Sequence, residues 1–170
     1  MEFVPNKCDR KLIKIGDKLV RKWSKYLCLD PMWIISIEVM PDEEMEGALA
    51  RIDSSTSEYY VAIIEINQAL LQIDEDKYVE TVNEIVCHEL IHLVMIDFFR
   101  TAQIAAGKKE ELQDELKYKY EQFTSRFQRA FVDMDKSLQK AELFKVKLNE
   151  LKAELEEREE NNEPEEEKSK

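Results

Sequence analysis

The sequence predicts an α+β fold in which helices outweigh a small sheet. Three observations carry this. Apolar residues recur at helical spacing near both ends of the chain. Between them lie two short stretches of strand character, one alternating from Trp33 to Val39 and one β-branched and aromatic from Tyr59 to Ile66. Gly 3 and Pro 4 are low and charged residues reach 36%, a profile of long helices and few turns.

The elements follow in order. Leu12, Ile15, Leu19, Trp23 and Tyr26 form a helical stripe with Lys and Arg in most of the gaps, which predicts an amphipathic helix near 9–27 despite Gly16. Asp30-Pro31 breaks it. Trp33, Ile35, Ile37 and Val39 alternate with Ile34, Ser36 and Glu38, the pattern of a half-buried strand closed by Pro41-Asp42. Residues 46–53 are a weaker strand candidate. Asp53-Ser54-Ser55-Thr56-Ser57 reads as a turn, so a hairpin joins that segment to the strand Tyr59–Ile66.

Helical character resumes after Asp74-Glu75-Asp76, acids suited to a helix N-terminus. It runs through Val79, Val82, Ile85, Val86, Leu90, Leu93 and Val94 to about Phe99, with Gly107 as a stop. Apolar on most faces, this helix is expected to be central and buried. The last third is one long helix. Tyr120, Phe123, Phe127, Ala130, Met134, Ala141, Phe144, Leu148, Leu151 and Leu155 form a heptad-like seam interrupted by Ser137. Its aromatic first half is expected to pack on the domain. Beyond Glu156 the chain is too charged to bury anything and is expected to lack structure. The predicted organisation is one domain over residues 8–135 and a helical, acidic C-terminal extension over 136–170.

Charge excludes several function classes. The net charge is −12. From Glu150 to Lys170 ten Glu face four Lys or Arg, so half of it sits in the tail. Phosphate backbones and anionic membrane surfaces repel such a chain, and neither nucleic acid nor membrane is an expected partner. Cys8, Cys28 and Cys87 are an odd number with no CxxC spacing, as expected for free thiols in a reducing compartment. No apolar h-region opens the chain and no apolar run approaches membrane-spanning length, so the expected location is cytoplasmic.

The strongest chemical signal is His88-Glu89-Leu90-Ile91-His92, which contains both histidines of the chain. Positions i and i+4 share one helix face, so both imidazoles can reach one ion at a Zn–N distance of about 2.0–2.1 Å. Neutral imidazoles suit Zn²⁺ and leave its charge largely intact. The ion then brings the pKa of a bound water toward about 7, and Glu89, beside the imidazoles, is the candidate general base. A bare HExxH match in so short a chain is a chance event on the order of one in a few hundred. Here it also lies within an apolar, uninterrupted helix. Two buried histidines and a buried Glu without partners would be costly, which weighs against an incidental cluster.

With no third histidine, the third protein ligand is a carboxylate, a Cys, or absent. The order of helix, Trp-containing strand, strand pair, HELxH helix and later Glu-Gln-x-x-x-Arg helix resembles the small zincin-like metallopeptidases encoded by phages and prophages. These are similar to minimal gluzincins, whose third ligand is a Glu on a following helix. The matching stretches are Trp33–Met40, Tyr60–Asn67, Val86–Val94 and Tyr120–Phe131. The resemblance implies a zincin-like fold, a peptide or protein substrate bound along a sheet edge by strand addition, and Glu121 as the third ligand. Glu121 lies at the border of the apolar seam and a polar stripe of Lys117, Thr124 and Gln128. Glu111, Asp114 and Glu115 are the alternatives.

Other residues have ordinary readings beside functional ones. Glu84 and Asp97 can orient an imidazole or face solvent. Arg126 can stabilise an oxyanion or sit on the surface. Cys87 abuts His88 but points about 100° away around the helix, as a core residue. Tyr118 and Tyr120 are oxyanion donors or packing aromatics. The expected function is a zinc metallopeptidase. Its rivals are a zinc hydrolase of a non-peptide amide, and an interaction protein with a structural or degenerate zinc site that binds a helical partner through its C-terminal extension.

Overall fold

The computed structural model describes residues 7–53, 60–107 and 109–161. They form an α+β fold with α1 (Lys7–Tyr26), β1 (Ile34–Met40), β2 (Ala50–Asp53), β3 (Val61–Asn67), α2 (Glu75–Ala106) and α3 (Glu110–Asn161). Short 3-10 turns follow β1 and β3. The chain forms two compact units, Met1–Ala130 and Phe131–Lys170. The turn expected at 53–57 lies, beyond Asp53, outside the described residues. The acidic end from 162 onward lies outside them too, while α3 continues to Asn161, into the stretch expected to be unstructured.

α1 buries Leu12, Gly16, Val20 and Trp23, whereas Tyr26 is exposed. The buried stripe is thus rotated from the expected Leu12-Ile15-Leu19-Trp23-Tyr26. The cause is Gly16, where a Cβ would lie 3.0 Å from Cγ1 of Ile37. Its missing side chain lets the helix backbone settle against β1, and hydropathy gives no signal for such a contact. α1 closes in a Schellman pattern. The Leu29 N–H donates to Ser24 O at 2.8 Å, that of Cys28 donates to Lys25 O at 3.4 Å, and Cys28 takes the left-handed position with φ 56°. Trp23 is fully buried, and its indole N–H donates to Asn83 Oδ1 of α2 at 3.0 Å, which satisfies its one polar atom.

The sheet order is β1-β3-β2. β3 pairs parallel with β1 and antiparallel with β2, so β2 is an edge strand. Ile37, Val39, Ala62, Ile64 and Ile66 are buried, while Ile34, Ser36 and Glu38 are exposed, as the alternation requires. Ile37, Ile64 and Ile52 lie side by side across the three strands and share a face. That face carries α1, through Gly16, and α2, whose residues border Ile52. Asn67 fixes the end of β3. Its amide donates to Asp42 Oδ1 at 2.7 Å and to Ala48 O at 2.9 Å, and its carbonyl oxygen accepts from Ala69 N at 2.8 Å. This satisfies a residue only 1% exposed and holds the chain leading into β2.

α2 is buried on several sides from Tyr78 to Leu93, but Val94, Phe98 and Ile104 are exposed. It outruns the expected end near Phe99 and stops at Gly107, whose φ of 63° ends the helix. Gln103 O and Gly107 O both accept from the Gln113 amide, fixing the return of α3. No helix among the described residues is long and apolar enough to cross a membrane.

Candidate metal centre

The centre lies between the middle of α2 and the first unit's part of α3. His88 and His92 stand one turn apart with ring centroids 4.8 Å apart. Their Nε2 atoms approach to 3.2 Å. Oε2 of Glu121 lies 3.5 Å from Nε2 of His88 and 3.6 Å from Nε2 of His92. Three ligands at about 2.0–2.1 Å from one tetrahedral ion stand about 3.3–3.4 Å from each other. The observed triangle matches that spacing. It aims two imidazole nitrogens and a carboxylate oxygen at one point, an arrangement that a cation stabilises and that is repulsive when the imidazoles are neutral and the space between them is uncharged.

α3 also supplies the outer partners of both rings. Nδ1 of His88 lies 3.4 Å from Oε1 of Gln128. Nδ1 of His92 lies 3.5 Å from Oγ1 of Thr124. Thr124 donates its hydroxyl to Tyr120 O at 3.0 Å, which leaves its lone pairs to accept from His92. Both contacts assign the ring proton to Nδ1 and free Nε2 for a metal. The Tyr120 hydroxyl donates to His92 O at 2.8 Å, and its ring stacks on Phe99 at 4.1 Å. Glu121, Thr124 and Gln128 therefore form one stripe of α3 turned to the α2 histidines. The seam residues Phe123 and Phe127, expected to pack on the domain, are about half exposed instead. The polar stripe, with Tyr120, meets α2 because that is where the imidazoles and their hydrogen-bond partners are.

The electrostatics separate the four groups. Burial pushes the Glu89 carboxyl up to about 7, with the Glu121 charge adding to it against the attraction of His88. Burial pulls His92 down to about 4. Burial also pulls on His88, but the hydrogen bond its protonated ring donates to Glu121 and the charges of Glu89 and Glu121 outweigh it and leave that imidazole above its usual value. The hydrogen bond to His88 holds Glu121 below the ordinary carboxylate range. Burial, aided by the neighbouring carboxylates, pushes the Tyr120 phenol up.

A cleft of about 480 Å³ opens over the centre. Ala50, Arg51 and Ile52 of β2 form one wall, and Leu93, Ile96 and Phe99 continue along α2 from His92. Glu89 lines the same cleft, with its carboxylate and the two imidazoles within 4.8 Å of one another. Glu89 is thus close to the triangle, but Glu121 makes the tighter third corner.

The structure places the remaining candidates elsewhere. Glu111, Asp114 and Glu115 are exposed and line no part of the cleft. Glu84 is half-buried and Asp97 exposed, and neither borders the cleft. Cys87 is fully buried in the core. Arg126 and Tyr118 border a separate hollow on the other side of Glu121. Tyr120 is engaged with His92, which makes it an orienting residue. Sequence reasoning passed over Thr124 and Gln128 as ring partners, although their offsets of three and seven from Glu121 put them on its helix face. The β2 and late α2 residues of the cleft carry no such local signal.

Comparisons with protein-family models, curated proteins and solved structures find no match for the chain.

Proposed function

We propose that the protein is a zinc-dependent metallopeptidase with a zincin-like fold, in which His88, His92 and Glu121 hold the ion. The observation that carries this reading is the triangle of Nε2, Nε2 and Oε2 with sides of 3.2, 3.5 and 3.6 Å. The residues fit zinc by chemistry as well as spacing: two imidazoles and one carboxylate are the donor set of open, catalytic sites, whereas structural sites close four positions with Cys and His. Cys87 is buried in the core and Cys28 is exposed; neither borders the cleft. When bound, zinc would act as a Lewis acid on a carbonyl and lower the pKa of water.

The chain's own groups supply the rest. Glu89 takes the proton of the attacking water and returns it to the leaving amine. Its buried carboxyl, with a pKa pushed to about 7, suits a group that must both accept and release a proton near neutrality. Gln128 and Thr124 hold the imidazoles in one tautomer and orientation. β2 is a sheet edge that also walls the cleft, so an extended peptide added along it would run past His88 and His92. The sequence resemblance to phage and prophage zincin-like peptidases points the same way. Cys28 and Cys87 are in no disulfide, which favours a reducing, cytoplasmic setting.

The experiment is elemental analysis of the purified chain beside His88→Ala, Glu121→Ala and Glu89→Gln, followed by a peptide-library digest. About one zinc per wild-type chain, lost in the first two variants and kept in the third, with cleavage by the wild type alone, is the expected result. A folded wild type that ignores added zinc sinks the reading. Zinc binding with hydrolysis of simple amides but no peptides would move it to the non-peptide hydrolase.

A further inference from the structure

The second unit carries a surface that the metal centre does not use. Along α3, Met134, Ser137, Ala141, Phe144, Leu148 and Leu151 follow steps of three and four, the a and d positions of successive heptads. Phe144 is 70% exposed and Leu151 56%, and Met134 and Leu148 are also exposed. Leu143 and Val146 lie on the opposite side of the helix and do not widen this seam.

The flanks decide what can cover it. From Ala141 to Leu151, Lys140 and Lys147 occupy the g positions and Lys145 and Lys152 the e positions, all of them exposed, while the e position of the heptad before holds Leu138. In a parallel pair of identical helices, Lys140 would face Lys145 of the other copy and Lys147 would face Lys152. In an antiparallel pair, e meets e and g meets g, again Lys against Lys. The in-register parallel pair and the antiparallel pair that lays residues 140–152 against each other therefore both bring like charges together beside the seam. From Met134 to Lys152 five Lys face three acids, in a chain whose net charge is −12, so the stripe stands out against the rest of the molecule.

We propose that this seam is the docking site for an amphipathic helix of another protein whose e and g positions are acidic. Glu at those positions would pair with all four Lys while its apolar residues cover Phe144, Leu148 and Leu151. Ser137 and Ala141 are small and leave room for larger partner side chains at their level. A membrane surface fits less well. The apolar stripe is the narrow two-in-seven kind, and Asp135, Glu142 and Glu150 share the helix.

The test uses the full chain and two labelled synthetic peptides with identical Leu a and d positions, one with Glu and one with Lys at every e and g. Fluorescence anisotropy is expected to show the Glu peptide binding at least about tenfold tighter, with the difference shrinking in 1 M salt. A Lys140→Glu, Lys145→Glu, Lys147→Glu, Lys152→Glu variant is expected to reverse the preference. Equal affinity for the two peptides overturns the proposal. So does a wild-type chain that sediments as a dimer which Phe144→Glu dissociates, since the occupant is then a second copy. Tighter binding to phosphatidylserine vesicles than to the Glu peptide assigns the face to a membrane and overturns it as well.

Discussion

Oε1 of Gln128 lies 3.4 Å from Nδ1 of His88, while the facing Nε2 of the same ring lies 3.5 Å from Oε2 of Glu121. One helix thus holds both ends of one imidazole, seven residues apart along its own face. With its proton on Nδ1 toward Gln128, the ring leaves Nε2 free to ligate a metal.

Gln128→Leu tests that division of labour. It removes no ligand, so zinc is expected still to bind at about one per chain. Affinity should drop roughly 10–100-fold, the range seen when an imidazole loses its outer partner. Competition against a calibrated zinc chelator measures it. Unchanged affinity would mean that Gln128 is a bystander.

Zinc is expected to stabilise the fold as well as the site. At a free concentration of about a hundredfold its Kd, it adds ~2.7 kcal/mol to the native state. Thermal melts with and without chelator should show the shift in the wild type and a much smaller one in Glu121→Ala. Equal shifts in both would place the bound zinc elsewhere.

In the metal-free chain, Glu89 and His92 pull stability in opposite directions across the same pH window. The Glu89 carboxyl is raised from 4.5 to about 7 in the fold, so its contribution is present below 4.5 and lost as pH rises toward 7. His92 is lowered from 6.5 to about 4, so its contribution is present above 6.5 and lost as pH falls toward 4. The two offset in the wild type. Glu89→Gln leaves the His92 slope, with stability falling on acidification, and His92→Gln leaves the opposite slope. Each slope should amount to on the order of 2 kcal/mol between pH 4 and 7, read from urea melts in chelator. Parallel curves for the two variants would refute the assignment.

Gly16→Ala is expected to destabilise although it sits in a helix interior. Alanine contributes about 0.5–1 kcal/mol of helix propensity over glycine. The new methyl, however, meets Ile37 carbons at 3.0–3.2 Å, and overpacking of that kind costs ~1–3 kcal/mol. In an Ile37→Ala background the penalty should vanish and the substitution should turn stabilising. Denaturant melts of the four chains settle the cycle.

The mixture of legible and illegible features follows from how far each signal reaches along the chain. The alternation of Ile35, Ile37 and Val39 and the spacing of His88, Glu89 and His92 are set by backbone periods of two and 3.6, so they can be read within a few residues. Gly16 misled the reading of α1, since its role is the absence of a side chain opposite a strand that comes eighteen residues later. Phe123 and Phe127 misled the reading of α3 because hydrophobicity alone favours burying them, whereas hydrogen bonding to the half-buried His88 and His92 turned Tyr120, Thr124 and Gln128 inward.

The sequence by itself determined that α2 would be helical, that His88 and His92 would share a face of it, and that Glu89 would lie beside them, because a single helical repeat dictates all three. Only the tertiary structure decided which acid would meet the histidines and which strand would border them. Glu111, Asp114, Glu115 and Glu121 all lie on α3, and the choice depends on where α3 returns after Gly107 and how it is rotated about its axis. That geometry is fixed by the Gln113 contacts to Gln103 and Gly107 and by Tyr120 seated against His92 and Phe99, a convergence of residues too distant in the chain for any local period to encode.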